Sequence, residues 1–329
     1  MMIWREPSDI PDYAGAVVTV GVFDGVHKGH KAILHAAVRR AKAMGLPAVA
    51  LTFDPHPSVV HRPQVPAPMI ASLEDRLQRL EAAGLWATYV QHYDLDYAQL
   101  SAEEFVARQL VGQLKARAVV VGADVRFGAG NTGDQKKLQE LGESAGFAVE
   151  IVSDVRSAEG RRWSSTWVRE LLEKGDVAGA ARVLGRPHRV RGKVQRGFQR
   201  GRQLGFPTAN LAGEGLGEVP CDGVYAGWVV LRVPGTQAAE YLPAAISVGT
   251  NPQFDGTERT VEAHVLGRSD LNLYGREIAV DFMEYVRPMM KLSSVEELLT
   301  QMDDDLRAVA EILAVPVPSR IAPEAVTAC

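Results

Sequence analysis

The chain has 329 residues, 36 Lys+Arg against 40 Asp+Glu for a formal net charge of −4, with 46% hydrophobic and 23% charged residues. Such a composition excludes overall disorder, since the apolar material is ample to offset ordering entropy, and its mild acidity argues against non-specific nucleic-acid binding. No run approaches the roughly 18 consecutive apolar residues of a membrane span, and Met1 to Pro7 lacks the basic-then-apolar pattern of a secretion signal. Cys221 and Cys329 are too few for a disulfide framework or a Cys-rich metal site, so a reducing, cytoplasmic location is expected. At roughly 100–200 residues per domain the length suggests two domains.

Residues 16–182 read as alternating strands and helices. Val17–Val20 is a β-branched run stopped at Gly21. Ile33, Ala37, Ala41 and Met44 then fall at helical spacing and Gly45 closes the helix. Val49–Phe53 is a second strand, ended by Pro55 and Pro57. Leu73, Leu77 and Leu80 mark a helix running to Gly84, and Thr88–Val90 a strand. Ser101 with Glu104 forms a capping-box signature. Ala118–Val121 is the most apolar strand, followed by a helix over 134–145, a strand at Val149–Val152 and a helix from Ser164-Ser165 to about 174. Five βα units in series predict a doubly wound parallel sheet with helices on both faces, whose ligands sit beyond the carboxyl ends of the strands. The pattern changes near Gly185-Arg186-Pro187-His188. Short strands with frequent Gly and Pro follow at 188–195, 223–233, 243–248, 260–266 and 277–286, predicting an antiparallel barrel or sandwich. Val295, Leu298, Met302, Leu306, Val309 and Leu313 restore helical spacing behind a Ser293 or Ser294 cap. The expected division is therefore 1–185, 186–315 and a loose tail at 316–329.

The string Gly21-Val22-Phe23-Asp24-Gly25-Val26-His27-Lys28-Gly29-His30 follows the first strand and opens the first helix. Phosphates bind at this position because a helix N-terminus offers free N–H groups and positive potential. Gly25 and Gly29 permit close approach of backbone to ligand. His27 and His30, three apart, can face one phosphoryl group and stabilise charge building on it. An incidental strand–turn–helix junction or a metal pair remain the alternatives on spacing alone. The string is neither a Walker A loop nor a GxGxxG fingerprint. Its His-x-Gly-His resembles the nucleotidylyltransferase superfamily, and the whole string is similar to the adenylyltransferase half of bacterial bifunctional riboflavin kinase/FAD synthetases. The family often has Asn where Val22 stands.

Trp163-Ser164-Ser165-Thr166-Trp167-Val168-Arg169 is a helix start with two hydroxyls and an Arg that opposes the helix dipole. A bound triphosphate would give that Arg a reason, and the resemblance implies that Ser164, Ser165, Thr166 and Arg169 lie at the ATP phosphates. Gly122-Ala123-Asp124-Val125-Arg126-Phe127-Gly128 matches the family loop at the sheet's carboxyl edge, with Asp124 where Asn is common. The ATP site implied in this half comprises Gly21, Phe23, Asp24, Gly25, His27, Gly29, His30, Asp124 and those four helix-start residues. Asp54-Pro55-His56-Pro57 resembles a flavin-side loop of the family and reads equally well as a Pro-stiffened turn.

In the second half, Arg186, Arg189, Arg191, Lys193, Arg196, Arg200 and Arg202 occupy a window with no acid. For most of them a solvated strand face is expected; as a nucleic-acid site the window lacks stacking aromatics beyond Phe198. Gly201-Arg202-Gln203-Leu204-Gly205-Phe206-Pro207-Thr208-Ala209-Asn210-Leu211 comes next. On an extended chain Thr208 and Asn210 share a face, and a hydroxyl beside an amide suits a Mg²⁺ that keeps waters and phosphates in its shell. The whole string resembles the riboflavin kinase signature. In Val261-Glu262-Ala263-His264-Val265 the valines and Ala263 face one way, Glu262 and His264 the other. The resemblance implies that Glu262 is the catalytic base, taking a proton from a substrate hydroxyl. It also implies ATP and flavin contacts at Gly201, Gly205, Pro207, Thr208, Asn210, Tyr225 and Asn251, although Tyr225 and Phe254 read better as core or loop anchors. Asn251-Pro252-Gln253 departs from the family's usual Arg-Pro-Thr.

The resemblance spans about 16–313. It implies phosphorylation of riboflavin to FMN and adenylylation of FMN to FAD, with Mg²⁺, ATP and these flavins as cofactor, co-substrate and substrates. No nucleic-acid or membrane partner is expected, and any homo-oligomer is expected to be weak. The competing readings are an adenylyltransferase whose barrel only presents flavin, and a non-catalytic nucleotide or RNA module built on 186–202, which would bind RNA in a strongly salt-dependent way. A class I aminoacyl-tRNA synthetase shares His-x-Gly-His, but its appendages and lysine-rich motif are not evident.

Overall fold

The computed structural model describes residues 1–64, 69–196, 204–211, 215–232, 238–250, 259–291 and 293–319. By its contacts the chain divides into two units, Met1–Met69 with Leu73–Ser165, and Ile70–Ser72 with Thr166 onward. The change of pattern near 185 falls at the end of a helix pair that groups with the second unit.

In the first unit the strands are β1 (Met2–Trp4), β2 (Ala16–Val20), β3 (Ala48–Asp54), β4 (Ala87–His92), β5 (Ala116–Gly122) and β6 (Ala148–Val152). They form one six-stranded sheet in the order β1-β4-β3-β2-β5-β6, every pairing parallel. Burial on both faces explains the unbroken apolar runs. Val18, Val49, Leu51, Val119 and Val121 pack one face with Phe105, Leu110 and Leu138. Their neighbours Val17, Ala50, Val90, Ala118 and Val120 pack the other with Leu34, Ala37, Leu77 and Leu80, as the two-residue period of a strand requires. The helices α1 (Lys28–Met44), α3 (Leu73–Ala82), α4 (Ala102–Phe105) and α5 (Gln135–Ala145) lie close to the sequence expectation, and the short α2 (Pro57–His61) was not expected. The Ser101–Glu104 capping box forms, and α4 runs on into a π-helical stretch, Val106–Gln113. Sequence reading missed β1, which at three residues is too short for a period to show. Because β3 and β5 flank β2 on opposite sides, the strand order reverses between β2 and β5. Ligands bind in the crevice at such a point.

The second unit opens with α6 (Ser165–Glu173, whose first residue groups with the first unit) and α7 (Val177–Leu184). It then builds a closed barrel from β7 (His188–Gln195), β8 (Ala209–Leu211), β9 (Gly223–Arg232), β10 (Ala239–Thr250), β11 (Arg259–Val265) and β12 (Glu277–Arg287), in the order β10-β11-β8-β7-β12-β9. All neighbours are antiparallel. Closure removes the sheet edges and decides barrel over sandwich. Along β10 burial alternates through Leu242, Ala244, Ile246 and Val248. Gly227 lets β9 approach β12: a Cβ there would sit 2.1 Å from the Asp281 carbonyl oxygen. The last helix, α8 (Val295–Ile312), is capped by Ser294, which accepts the Glu297 N–H at 3.1 Å. It packs Leu306, Val309 and Ala310 against Phe206, Ala226 and Leu266. A forked pair, Arg287 to Asp305 with both bonds at 2.6 Å, ties it to β12.

Two residues of the basic window depart from the expected solvated face, whereas Lys193 and Arg196 are exposed as expected. Arg189 is bound by a fork to Asp281, directly across on β12, at 2.6 and 2.7 Å, and Arg191 pairs with Glu277 at 3.3 Å. Their side chains are only 14% and 9% exposed. The acids that neutralise them lie some ninety residues away in sequence, invisible to a local window.

Candidate active sites

The turn after β2 is held in an unusual backbone. Phe23 and Val26 have φ of 53° and 42°, and Gly25 has 73°. For non-glycine residues, and for a β-branched Val above all, this left-handed region is strained by about 1–3 kcal/mol each and persists only where the surroundings over-determine it. They do so here. Phe23 and Val26 are buried at 1% exposure. The Val22 carbonyl accepts from Thr52 Oγ1 at 3.1 Å and from an Arg76 terminal nitrogen at 2.8 Å. The Asp24 carbonyl accepts from Ser165 Oγ at 3.0 Å. The turn delivers His27 to the N-cap of α1, where its Nδ1 accepts the His30 N–H at 3.3 Å. A neutral ring so bonded carries its proton on Nε2.

The two imidazoles lie face to face, centroids 3.7 Å apart and planes at 21°, with Phe23 edge-on to His30 at 5.5 Å. Burial first, then the charges of His27 and Arg162, holds His30 well below the usual histidine range. It is therefore neutral at physiological pH, and its buried Nδ1 has no hydrogen-bond partner among the described residues. An orphaned buried nitrogen at a helix N-terminus suits an anionic oxygen. Gly29 is closely packed: a Cβ there would lie 3.0 Å from both the His27 ring and the Trp163 carbonyl oxygen.

At the end of β5, Asp124 is engaged by Arg162, which also reaches Asp154 at 3.1 Å. Asp124 thus holds the arginine whose charge acts on His30. Ser164 and Ser165 lie within this unit, half-buried. Thr166 and Arg169 group with the second unit, where Thr166 is exposed and Arg169 Nε stands 3.7 Å from Glu218. His56 caps α2, accepting the Ser58 N–H at 2.9 Å, so its ring has a structural duty. Sequence reading missed Arg76, Arg162 and Thr52. The signal for Arg76 was available: it stands in the first turn of a helix, against the dipole.

In the barrel, β8 pairs with β11 so that Asn210 lies directly across from Glu262. Asn210 Nδ2 donates to Thr208 Oγ1 at 3.2 Å, and that hydroxyl donates to Glu262 Oε2 at 3.4 Å. The chain of donors fixes the Thr208 proton toward the carboxylate. Burial raises the Glu262 pKa and the Thr208 bond opposes it, which makes the ionised carboxylate a stronger base. His264 is buried rather than on an exposed polar face: its Nδ1–H donates to the Pro207 carbonyl at 2.8 Å, and burial holds its pKa down. It thereby anchors the residue before Thr208. Gly205 has φ of 85° and is buried. Pro207, Thr208, Ala209 and Ala263 line a cleft with Val194, Arg268 and Leu273. Tyr225 is fully buried, its hydroxyl given to the Cys221 carbonyl at 2.5 Å and its ring edge-on to Phe282 and Tyr285. That is a core anchor. Gly201, Arg200, Arg202, Asn251, Pro252, Gln253 and Phe254 lie outside the described residues.

Two geometries, a histidine turn on a parallel sheet and a carboxylate–hydroxyl–amide trio on a barrel, now meet the comparisons with known proteins. A family model described as FAD synthetase matches residues 9–167, and one described as riboflavin kinase matches residues 184–313. A bifunctional riboflavin kinase/FMN adenylyltransferase of Escherichia coli K12 is 33% identical over 306 residues, 93% of this chain and 95% of that protein. The chain belongs to the bifunctional riboflavin kinase/FMN adenylyltransferase family. Relatives of the same name from Pseudomonas fluorescens and Bacillus subtilis are 35% and 32% identical, over 94% and 89% of this chain and 96% and 91% of theirs. Among solved structures, a Streptococcus pneumoniae chain named as a macrolide-efflux protein superposes with a TM-score of 0.81 at 30% identity, covering 94% of this chain and 98% of that one. Among the described residues no helix is long and apolar enough to cross a membrane. The family's two reactions thus have one candidate site in each unit of this member.

Proposed function

We propose that the family's two activities are divided along the chain, residues 1–185 transferring AMP and residues 186–315 transferring phosphate. The chain phosphorylates riboflavin to FMN with ATP, then adenylylates FMN to FAD with release of pyrophosphate. The observation that carries the division is the presence of two sites of different chemistry, the stacked His27/His30 pair and the Thr208–Glu262 pair.

In the barrel, Glu262 takes the proton from the terminal ribityl hydroxyl as its oxygen attacks the γ-phosphorus of ATP, and the bond from that phosphorus to the β,γ-bridging oxygen breaks to release ADP. Thr208 and Asn210 offer hard oxygen donors of the kind Mg²⁺ prefers. Among the described residues no group of three His, Cys, Asp or Glu could hold a metal, so the ion would be held by Thr208, Asn210, phosphate oxygens and water. When bound, Mg²⁺ neutralises charge on the phosphates. Gly205 and Pro207 shape the strand approach, and Gly201 and Asn251 complete the proposed ATP and flavin contacts.

In the parallel-sheet unit the nucleophile is the FMN phosphate, already an anion near neutral pH, which attacks the α-phosphorus. No protein base is required, and the work is positioning and charge stabilisation. His27 and His30 donate to the phosphoryl oxygens as charge builds. Gly21, Phe23, Asp24, Gly25 and Gly29 form the close-fitting turn, Asp124 orients Arg162, and Ser164 and Ser165 of this unit bind the ATP phosphates. A cytoplasmic location fits the substrates and the scarcity of cysteine.

The test is incubation of the purified chain with riboflavin, ATP and Mg²⁺, followed by chromatographic identification of the flavins. FMN then FAD is expected. FMN alone, or unchanged riboflavin, overturns the reading.

A further inference from the structure

The largest fully buried side chain among the described residues is a cation, Arg76, 1% exposed. Its place is costly twice over. It stands in the first turn of α3, where the helix dipole disfavours a positive charge, and it has left water, which a charge tolerates only with partners. Its partners are not the aliphatic core around it. One terminal nitrogen donates to the Val22 carbonyl at 2.8 Å, and the other stands 3.8 Å from Asp54 Oδ1 at the end of β3. Asp24, buried at 3%, adds a second compensating charge. The Val22 oxygen takes a second bond, from buried Thr52. Both lone pairs of one carbonyl are thus used, immediately before Phe23 turns left-handed and four residues before Val26 does the same. An unanchored chain would relax out of that conformation, carrying His27 and the start of α1 with it.

We infer that Arg76 is a positioning residue for adenylyl transfer: together with Thr52 it clamps the Val22 carbonyl and so fixes the turn that presents His27 and His30. Buried as it is, Arg76 touches no substrate, and it acts wholly through the backbone. The guanidinium suits the task because its planar fork serves a carbonyl and a carboxylate at once. This inference rests on the assignment of adenylyl transfer to the His27/His30 turn.

The experiment compares wild type, Arg76→Met and Arg76→Lys, measuring FAD formation from FMN and FMN formation from riboflavin on the same preparations. Arg76→Met, which keeps volume and removes the donors, is expected to lower kcat for FAD formation at least 30-fold. KM for FMN should move less than threefold and the kinase rate less than twofold. Arg76→Lys, which keeps one cationic donor, is expected within about fivefold of wild type. FAD formation within threefold of wild type in Arg76→Met overturns the inference, as does Arg76→Lys as impaired as Arg76→Met, which would mark a packing role. Should Arg76→Met not fold, Thr52→Val removes the other donor to the same oxygen at equal volume. About fivefold loss of kcat is then expected, and an unchanged kcat overturns the inference. A wild-type chain that makes no FAD would sink the functional reading instead.

Discussion

The two candidate sites are built by opposite means. In the parallel-sheet unit the candidate site is a stacked pair of imidazoles, His30 held neutral by burial, on a backbone strained into place. In the barrel the candidate site is a strand pair whose facing side chains include a buried carboxylate, Glu262, with a raised pKa. The nucleophiles explain the contrast. A flavin phosphate arrives ionised and asks only to be positioned, whereas a ribityl hydroxyl must lose a proton. Strain belongs where geometry limits the rate, and burial of a carboxylate where basicity does.

Substitution at each centre should separate the halves. His30→Ala is expected to lower FAD formation by about 10³-fold, the scale on which transition-state donors act, while FMN formation stays within twofold. Glu262→Gln should do the reverse, on the 10²–10⁴ scale of general-base catalysis. Parallel loss of both products in either variant, read by chromatography, would erase the distinction.

Stability divides in the same way. Asp281→Asn breaks the forked pair that joins β12 to Arg189 on β7. It is expected to cost about 3 kcal/mol, the scale for breaking one side of a buried pair, with the loss confined to the barrel's unfolding transition in denaturant and FAD formation from supplied FMN retained.

The kinase should show an acid limb that the adenylyltransferase lacks. Burial raises the Glu262 pKa, so kcat/KM for riboflavin should rise about tenfold per pH unit through a value above the ordinary carboxylate range of about 4.3. The stability sign is opposite. A raised folded pKa favours the protonated fold, so Glu262 contributes stability below its unfolded pKa and loses it as pH rises through the folded one. Glu262→Gln should therefore raise the barrel's melting temperature at pH 7 relative to wild type, with the difference vanishing at low pH.

The smallest effect concerns the first unit alone. Ser101→Ala removes the capping box of α4 and is expected to cost about 1 kcal/mol, lowering the first unfolding transition and leaving both turnover numbers unchanged.

Much of this molecule was legible in its sequence. Unbroken apolar runs marked the parallel sheet and a helical period the last helix, because both faces of one and one stripe of the other must be apolar. The histidine turn was legible because its residues are contiguous and a helix N-terminus binds anions wherever it occurs. Closure of the barrel, the burial of Arg189 against Asp281, the seat of His264 on Pro207 and the clamp of Arg76 and Thr52 on Val22 were decided only by the tertiary structure. Each depends on a partner brought from a distant segment, and no local window records whether a charged or polar side chain will meet its complement or water.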